Sequence, residues 1–465
     1  MWTTKCVIVS SIFLSLSGRA ALAAEPKAVR DIGSRLELFV DDWLIDRMQG
    51  VSLQLHHPTS RNVALRFDAP WEGAGSAYVT VMKDGDKYRM YYRGLGGAKD
   101  PELTCYAESG DGVHWTKPKL GIVEFKGSKE NNIILAGSGN LSHNFAPFKD
   151  ANPAAPPEQR YKAMTGAPMH AYASADGIHW KPLADKPVIT KGAFDSQNLA
   201  FWDTVRGRYV AFFRGFRDGK RDILTCSSTD FLHWTEPVYL DFGNAPREHF
   251  YTNAITAYFR APHLLLGFPK RFVPERKIVT EQPETGVSDA VFLSSRDGLR
   301  FDRRFREAFI RPGLDRLNWM HRSNMTAWGV VPTGPGEISI YYSEHYDTPK
   351  NQMRRATLRT DGFASVNAPA AGGEFVTKAL TFQGKELAIN YGTSAAGSVR
   401  VEIQGADGKS ASGFSLADCP GIYGDEIERV VTWKGGKDLS ALAGQTVRLR
   451  FVMNDADLYS IRFRR

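Results

Sequence analysis

Cysteine is almost missing from this chain. Cys6 falls in an N-terminal apolar stretch, which leaves Cys105, Cys226 and Cys419 scattered along the rest. Three isolated thiols form neither a disulfide framework nor a zinc site of paired spacing. A chain of 465 residues buries enough apolar surface to hold together without such staples. Long hydrophobic runs are missing too. Beyond the N-terminus nothing approaches the ~20 apolar residues of a membrane span, so a soluble body with no membrane contact is expected. There is no phosphate-cradling glycine loop, no His-Glu-x-x-His helix and no Gly-x-Ser-x-Gly elbow, so the reactions those motifs carry are set aside. Basic clusters are absent as well. The 59 Lys and Arg are interspersed with 51 Asp and Glu, which argues against a nucleic-acid partner.

What the N-terminus does contain is an export pattern. Lys5 supplies a positive start, Val7 to Leu16 is apolar apart from serines, and Ala21-Leu22-Ala23 is a small-x-small cleavage site before Glu25-Pro26. The apolar part is roughly half of what a membrane span needs. We therefore read 1–23 as a signal peptide rather than an anchor, and expect a secreted or periplasmic protein. Removal of Lys5 and Arg19 lowers the formal charge from +8 to +6. That balance would suit an acidic polymer, but ordinary surface charge is the preferred account of it.

Two repeats run along the chain. Ser109-Gly-Asp111-Gly112-Val-His114-Trp115 recurs as Ser174-Ala-Asp176-Gly177-Ile-His179-Trp180 and as Ser228-Thr-Asp230-Phe-Leu-His233-Trp234. It returns as Ser295-Arg-Asp297-Gly298-Leu-Arg-Phe301, with a worn copy at Thr360-Asp361-Gly362-Phe363. The period is about 55 to 65 residues, the scale of a repeat architecture. Asp-Gly makes a tight turn, because Asp bonds nearby amides and Gly accepts positive φ. A second repeat of strand-forming residues precedes each turn, as in Tyr88-Arg-Met90-Tyr91-Tyr92-Arg93 and Tyr209-Val-Ala-Phe212-Phe213-Arg214. Each unit holds about four strands, the content of a propeller blade.

Five units predict an all-β, five-bladed β-propeller over 24–366. Asn367 to Gly373 reads as a small-residue linker. The alternating segments after it, such as Val399-Arg-Val401-Glu-Ile403 and Val447-Arg-Leu-Arg-Phe451, predict a β-sandwich over 374–465.

A five-bladed propeller followed by a β-sandwich resembles glycoside hydrolase family 32. The propeller alone is similar to family 43. The segments Leu38-Phe-Val-Asp41-Asp42-Trp43 and Pro70-Trp71-Glu72-Gly73 resemble a bacterial branch described as family 32-like. The Asn-Asp-Pro-Asn, Arg-Asp-Pro and Glu-Cys segments of true invertases are absent, which argues against sucrose or fructan. The resemblance implies a carbohydrate substrate and hydrolysis of its glycosidic bonds. It implies no cofactor. It admits a calcium ion in the channel, although no residue pattern demands one, and no metal ligands are assigned.

The residues opening each innermost strand are the candidates for chemistry. They are Asp68, Trp71, Glu72 and Tyr78; His143, Asn144 and Phe145; Asp195, Ser196, Gln197 and Asn198; Arg247, Glu248, His249, Tyr251 and Asn253; and Trp319, His321, Arg322 and Asn324. Polar groups crowded onto interior strands are costly unless something satisfies them, so a ligand is expected there. Glycoside hydrolysis needs two carboxyl groups, one to protonate the leaving oxygen and one to activate water or attack. Following the related families, Glu248 is the candidate general acid and Asp195 the third acid. Glu72 is the candidate base or nucleophile, with Asp68 its rival. The relatives carry Asp in blade 2 where this chain has Asn144, so Asp195 and Glu248 could exchange roles. Trp71, His143, Asn144, Asn198, Tyr251, Asn253, His321 and Arg322 are the candidate substrate contacts. Arg322 with His321 is a weak beginning of a phosphate site, so a phosphorylase, like a lyase, stays open. A propeller that only binds carbohydrate is the non-enzymatic alternative.

Overall fold

The repeated turns do what their sequence promises. Ser109 Oγ accepts the amide of Gly112 at 2.8 Å. Asp111 Oδ1 accepts those of Val113 at 2.7 Å and His114 at 2.8 Å, while Oδ2 lies 2.7 Å from His114 Nδ1. The same bonds recur around Asp176 and Asp230. Slight burial acts to raise the Asp111 carboxyl, but bonds from His114, Val113 and Ser109 hold it well below the usual carboxylate range.

The computed structural model describes residues 29–96, 100–137 and 142–465, and in it the first four of these turns join strands within the first four of five successive sheets. The segment read as a signal peptide lies outside the described residues. The first sheet is Ala77–Asp84, Lys87–Gly94, Leu103–Ser109 and Ile133–Ala136, each antiparallel to the next. The second begins at Ala146–Lys149 and the third at Leu199–Asp203, each with four strands. The fourth is split. Thr256–Tyr258, Ala261–Gly267, Leu293–Ser295 and Phe301–Asp302 form one part, and His249–Phe250, Lys270–Val273 and Val287–Ala290 form a three-stranded neighbour. Pro269, which has no amide hydrogen to continue a ladder, lies at the break. The fifth sheet is Val331–Gly334, Glu337–Glu344 and Gln352–Arg359, completed by Thr59–Arg66 from near the N-terminus. Among the described residues there is no α-helix, only three short 3₁₀ turns.

Contacts between neighbouring sheets run in a circuit. Ala146–Lys149 packs on both Ala77–Asp84 and Leu199–Asp203, and Lys220–Ser228 packs on His249–Phe250. Trp328 Nε1 donates to Ile255 O at 2.9 Å. The amide of Trp328 then donates to Val79 O, and Val81 N donates back to Trp328 O, both at 2.8 Å. This last seam, between the fifth and first sheets, needs Gly329. Its φ is +125°, and a Cβ there would lie 1.9 Å from Val81 O.

The remaining ten strands form one sheet system with its own apolar interior. Phe382 stacks on Phe463 at 3.7 Å and Phe375 on Phe451 at 4.8 Å. Its membership differs from the division drawn at 366 and 374. Arg30–Gly33, Glu37–Leu38, Ile45–Gln49 and Ser52–Leu55 all pair with strands of the C-terminal region. Ala364–Ala368 belongs there too. Register explains this. Alternating patterns do not state their partner, and the long strand Val447–Arg464 offers edges to both ends of the chain.

The worn fifth turn joins the two parts. Asp361 is fully buried with φ +63°. Its carboxylate accepts from Tyr258 Oη at 2.7 Å, in the fourth sheet, and from Arg260 Nε at 3.0 Å, in the turn after it. It also accepts from Asn390 Nδ2 at 3.2 Å and Ser460 Oγ at 3.1 Å, both in the ten-stranded system. Cys105, Cys226 and Cys419 are buried and free.

Candidate functional site

Side chains on the strands of the five sheets, or in the loops beside them, meet at one end of the circuit. Arg93 Nη1 donates to Asn144 Oδ1 at 3.2 Å, and Asn144 Nδ2 to Ser196 O at 3.0 Å. Ser196 Oγ donates to Tyr251 O at 2.7 Å. Arg322 Nη1 donates to Tyr346 Oη at 2.6 Å, and Arg93 Nη2 reaches the same hydroxyl at 3.4 Å. Across the middle, Tyr78 Oη lies 3.5 Å from Tyr251 Oη. Tyr78, Asn144 and Arg322 all have positive φ, at 54°, 52° and 64°. Such backbone is costly for residues other than glycine and gathers at functional sites.

The Tyr251 ring is the centre of the floor. Lys270 Nζ lies 4.0 Å from its centroid, and the guanidinium carbons of Arg214, Arg221 and Arg322 lie at 5.0, 5.2 and 5.7 Å. Lys270 is fully buried, and its amine has no hydrogen-bond partner. Burial pushes that amine well below the usual lysine range, and Arg322, Arg221 and Arg214 push the same way.

Three carboxylates border the floor. Asp195 is 62% exposed, 3.8 Å from His143 Nε2 and 3.7 Å from Arg214 Nη2. Glu102 lies 2.6 Å from His143 Nδ1 and 3.2 Å from Arg93. On another side, Glu284 lies 2.8 Å from His321 Nε2. Burial, with Lys270 and Arg322 adding to it, holds His321 down at about 3. A neutral ring fits that setting.

The structure thus brings together Asp195, His143, Asn144, Tyr251, His321 and Arg322 of the sequence candidates. Glu72 and Glu248 lie in separate networks, and the pleat shows why. Glu72 is buried, accepting Tyr92 Oη at 2.5 Å and Lys117 Nζ at 2.6 Å. Tyr92 precedes Arg93 on one strand, and adjacent strand residues leave opposite faces. Glu248 pairs with Arg271 at 3.0 Å and Arg303 at 2.8 Å, and Arg271 follows Lys270 on its strand, again on the opposite face. Asp68 is exposed against Lys117. Trp71 donates to Asn132 Oδ1 at 2.7 Å. Asn198 and Asn253 donate to the backbone oxygens of Phe194 and Phe212.

Sequence reasoning missed Arg93, Arg214, Arg221, Lys270, Glu102, Glu284 and Tyr346. A signal existed for two of them, since an arginine ends the second repeat in both copies quoted above. A separate cleft of about 580 Å³ runs past Asp41, Trp43, Arg296, Arg304 and Lys378. Its main cations are already neutralised, Arg296 by Asp41 and Glu37 and Arg304 by Asp302 and Asp42. Among the described residues no group of three or more His, Cys, Asp or Glu could hold a metal ion.

No protein-family model and no curated protein matches the chain. Among solved structures, it is similar to one titled a glycoside hydrolase, with 15% identity and a TM-score of 0.46 over 65% of this chain and 92% of that one. It is also similar to an N-acetylgalactosamine deacetylase from F. plautii in complex with blood group B trisaccharide. There the identity is 13% and the TM-score 0.43, over 67% and 96% of the two chains. A glycosyl hydrolase from Bacteroides ovatus gives 15% identity and a TM-score of 0.40 over 68% and 95%.

Proposed function

We propose that this protein is an exported carbohydrate-active enzyme that cleaves glycosidic bonds. The five sheets are the blades of a propeller, and the ten-stranded system is a β-sandwich beside it. Residues 1–23 are its export signal. The observation that carries the reading is the convergence of residues from the five sheets and the loops beside them on one floor bordered by Asp195, Glu102 and Glu284. The resemblance to families 32 and 43 supplies the reaction class.

Asp195 is the group we assign to proton transfer. It is the most exposed of the three acids and has no salt-bridge partner closer than 3.7 Å, so its oxygens are free to meet a leaving group. Glu102 positions His143, and the Nδ1–H tautomer leaves Nε2 to accept from Asn144 at 2.9 Å. Glu284, facing the floor from the side of His321, is the candidate second carboxyl that glycoside cleavage requires.

The test is a screen of neutral and acidic oligosaccharides for release of reducing ends, run beside Asp195→Asn. Cleavage by the native protein that collapses in the variant supports the reading. Sugar binding without cleavage of any substrate would leave the carbohydrate-binding alternative standing instead.

A further inference from the structure

The floor holds more positive charge than the protein compensates. Arg93 has Glu102 at 3.2 Å, and Arg214 has only the distant contact with Asp195. Among the described residues Arg221, Lys270 and Arg322 have no carboxylate within salt-bridge reach, yet all three lie around Tyr251. Their remaining donors are also idle, since Arg221 Nε, Arg322 Nε and Lys270 Nζ are buried without hydrogen-bond partners. Burying the donors of cationic groups without a partner is expensive. Their attraction to the tyrosine face offsets only part of that cost. A fold that brings two unpaired guanidinium groups and the buried Lys270 amine onto one ring, with donors unused, is suited to completion by a negative ligand.

We propose that this floor is an oxyanion receptor, taking the carboxylate or sulfate of an acidic sugar, or inorganic phosphate, among Arg214, Arg221, Arg322 and Lys270. The proposal rests on the glycosidase reading only for the identity of the molecule carrying the anion. Guanidinium groups suit it because each presents a planar fork of donors matching two anionic oxygens. Lys270 adds a second property. With the floor empty, burial and three neighbouring arginines favour its uncharged amine. An arriving anion reverses that balance, so Lys270 gains a proton as the anion binds. Glu284 is the facing acid that already acts in that direction, while Tyr251, Phe272 and His321 surround the amine without charge.

The experiment is titration calorimetry on the full chain with four probes: inorganic phosphate, inorganic sulfate, a uronate disaccharide and a neutral disaccharide. Saturable binding of at least one anion is expected, with affinity falling about tenfold or more in Arg221→Gln and in Lys270→Met. Binding heat in native protein should vary with the ionisation enthalpy of the buffer, and Lys270→Met should abolish that variation. Lys270→Met should fold at least as stably as the native protein, because it removes a buried amine without a partner; thermal unfolding checks this. Preference for the uronate disaccharide assigns the anion to the sugar, and preference for free phosphate assigns it to a co-substrate. No saturable anion binding, or anion binding unchanged in both variants, overturns the proposal. Binding of the neutral disaccharide alone overturns it too, while leaving the glycosidase reading intact. Conversely, anion binding in a protein that cleaves no glycan removes that reading and leaves the receptor.

Discussion

The carboxylate of Asp361 accepts a 2.7 Å hydrogen bond from the hydroxyl of Tyr258, which lies 103 residues earlier in the chain. With Arg260, Asn390 and Ser460 on the same carboxylate, this pair pins the fourth sheet to the ten-stranded system. Asp361→Ala leaves the buried Tyr258 phenol unsatisfied and Arg260 with Glu428 as its remaining carboxylate. A stability loss of roughly 3–5 kcal/mol is expected, as for other broken buried pairs. Differential scanning calorimetry should show this as a lowered midpoint, with Arg359 on Asn390 and Arg260 on Glu428 still joining the two parts.

Gly329→Ala tests the seam where the circuit closes. The added methyl would meet Val81 O at 1.9 Å, and φ is +125°. Neither the backbone nor a flexible neighbour can relieve this. A loss on the order of 3–5 kcal/mol is expected, and a thermal midpoint close to that of the native protein would show that the seam is not held as described.

Once a substrate is known, Asp195→Asn should lower turnover by roughly 10²–10⁴-fold with little change in thermal midpoint. Glu72→Gln should do the reverse. It leaves Lys117 without its closest carboxylate, 2.6 Å away, and so costs stability while sparing turnover. Glu248→Gln should behave like Glu72→Gln, because its charge is spent on Arg271 and Arg303. Equal turnover losses in all three variants would count against the separation of networks.

The pH dependence of stability should carry a histidine signature. His321 is held at about 3 against an ordinary 6.5. Below pH 6.5 the unfolded chain therefore binds a proton on this ring that the folded protein does not. Protonation favours unfolding, so the contribution is complete above 6.5 and is lost as pH falls toward about 3. The slope is at most about 1.4 kcal/mol per pH unit. His56 and His249 are also held low, mainly by burial, so the native slope has several sources. His321→Gln should flatten it by one share between pH 6.5 and about 5, as read by denaturant unfolding across that window.

The sheets were legible because each turn carries its chemistry in its own letters: Ser and Asp to cap amides, and Gly for positive φ in most copies. The site was half legible. Asp195, His143, Asn144, Tyr251 and Arg322 stand out as polar residues opening strands. Lys270 and Arg221 look like ordinary strand residues, because the face to which a pleat turns them depends on a register that only folding sets. Glu72 and Glu248 had no visible partners in the sequence, since Lys117 is 45 residues away and Arg303 is 55. The N-terminal strands were assigned to the wrong neighbour for a similar reason: their partners lie more than 300 residues downstream.

That long-range pairing governs when the molecule can exist at all. Thr59–Arg66 waits for Gln352–Arg359, and Glu37–Leu38 waits for Val447–Arg464. At roughly 5–20 residues added per second, the early strands emerge tens of seconds before their partners. The circuit cannot close on a nascent chain before Gln352–Arg359 is made, and the ten-stranded system cannot close before Val447–Arg464, almost the last residues to leave the ribosome. The sheets built from neighbouring strands can form early, but the two long-range closures, and with them the finished molecule, come only late in synthesis.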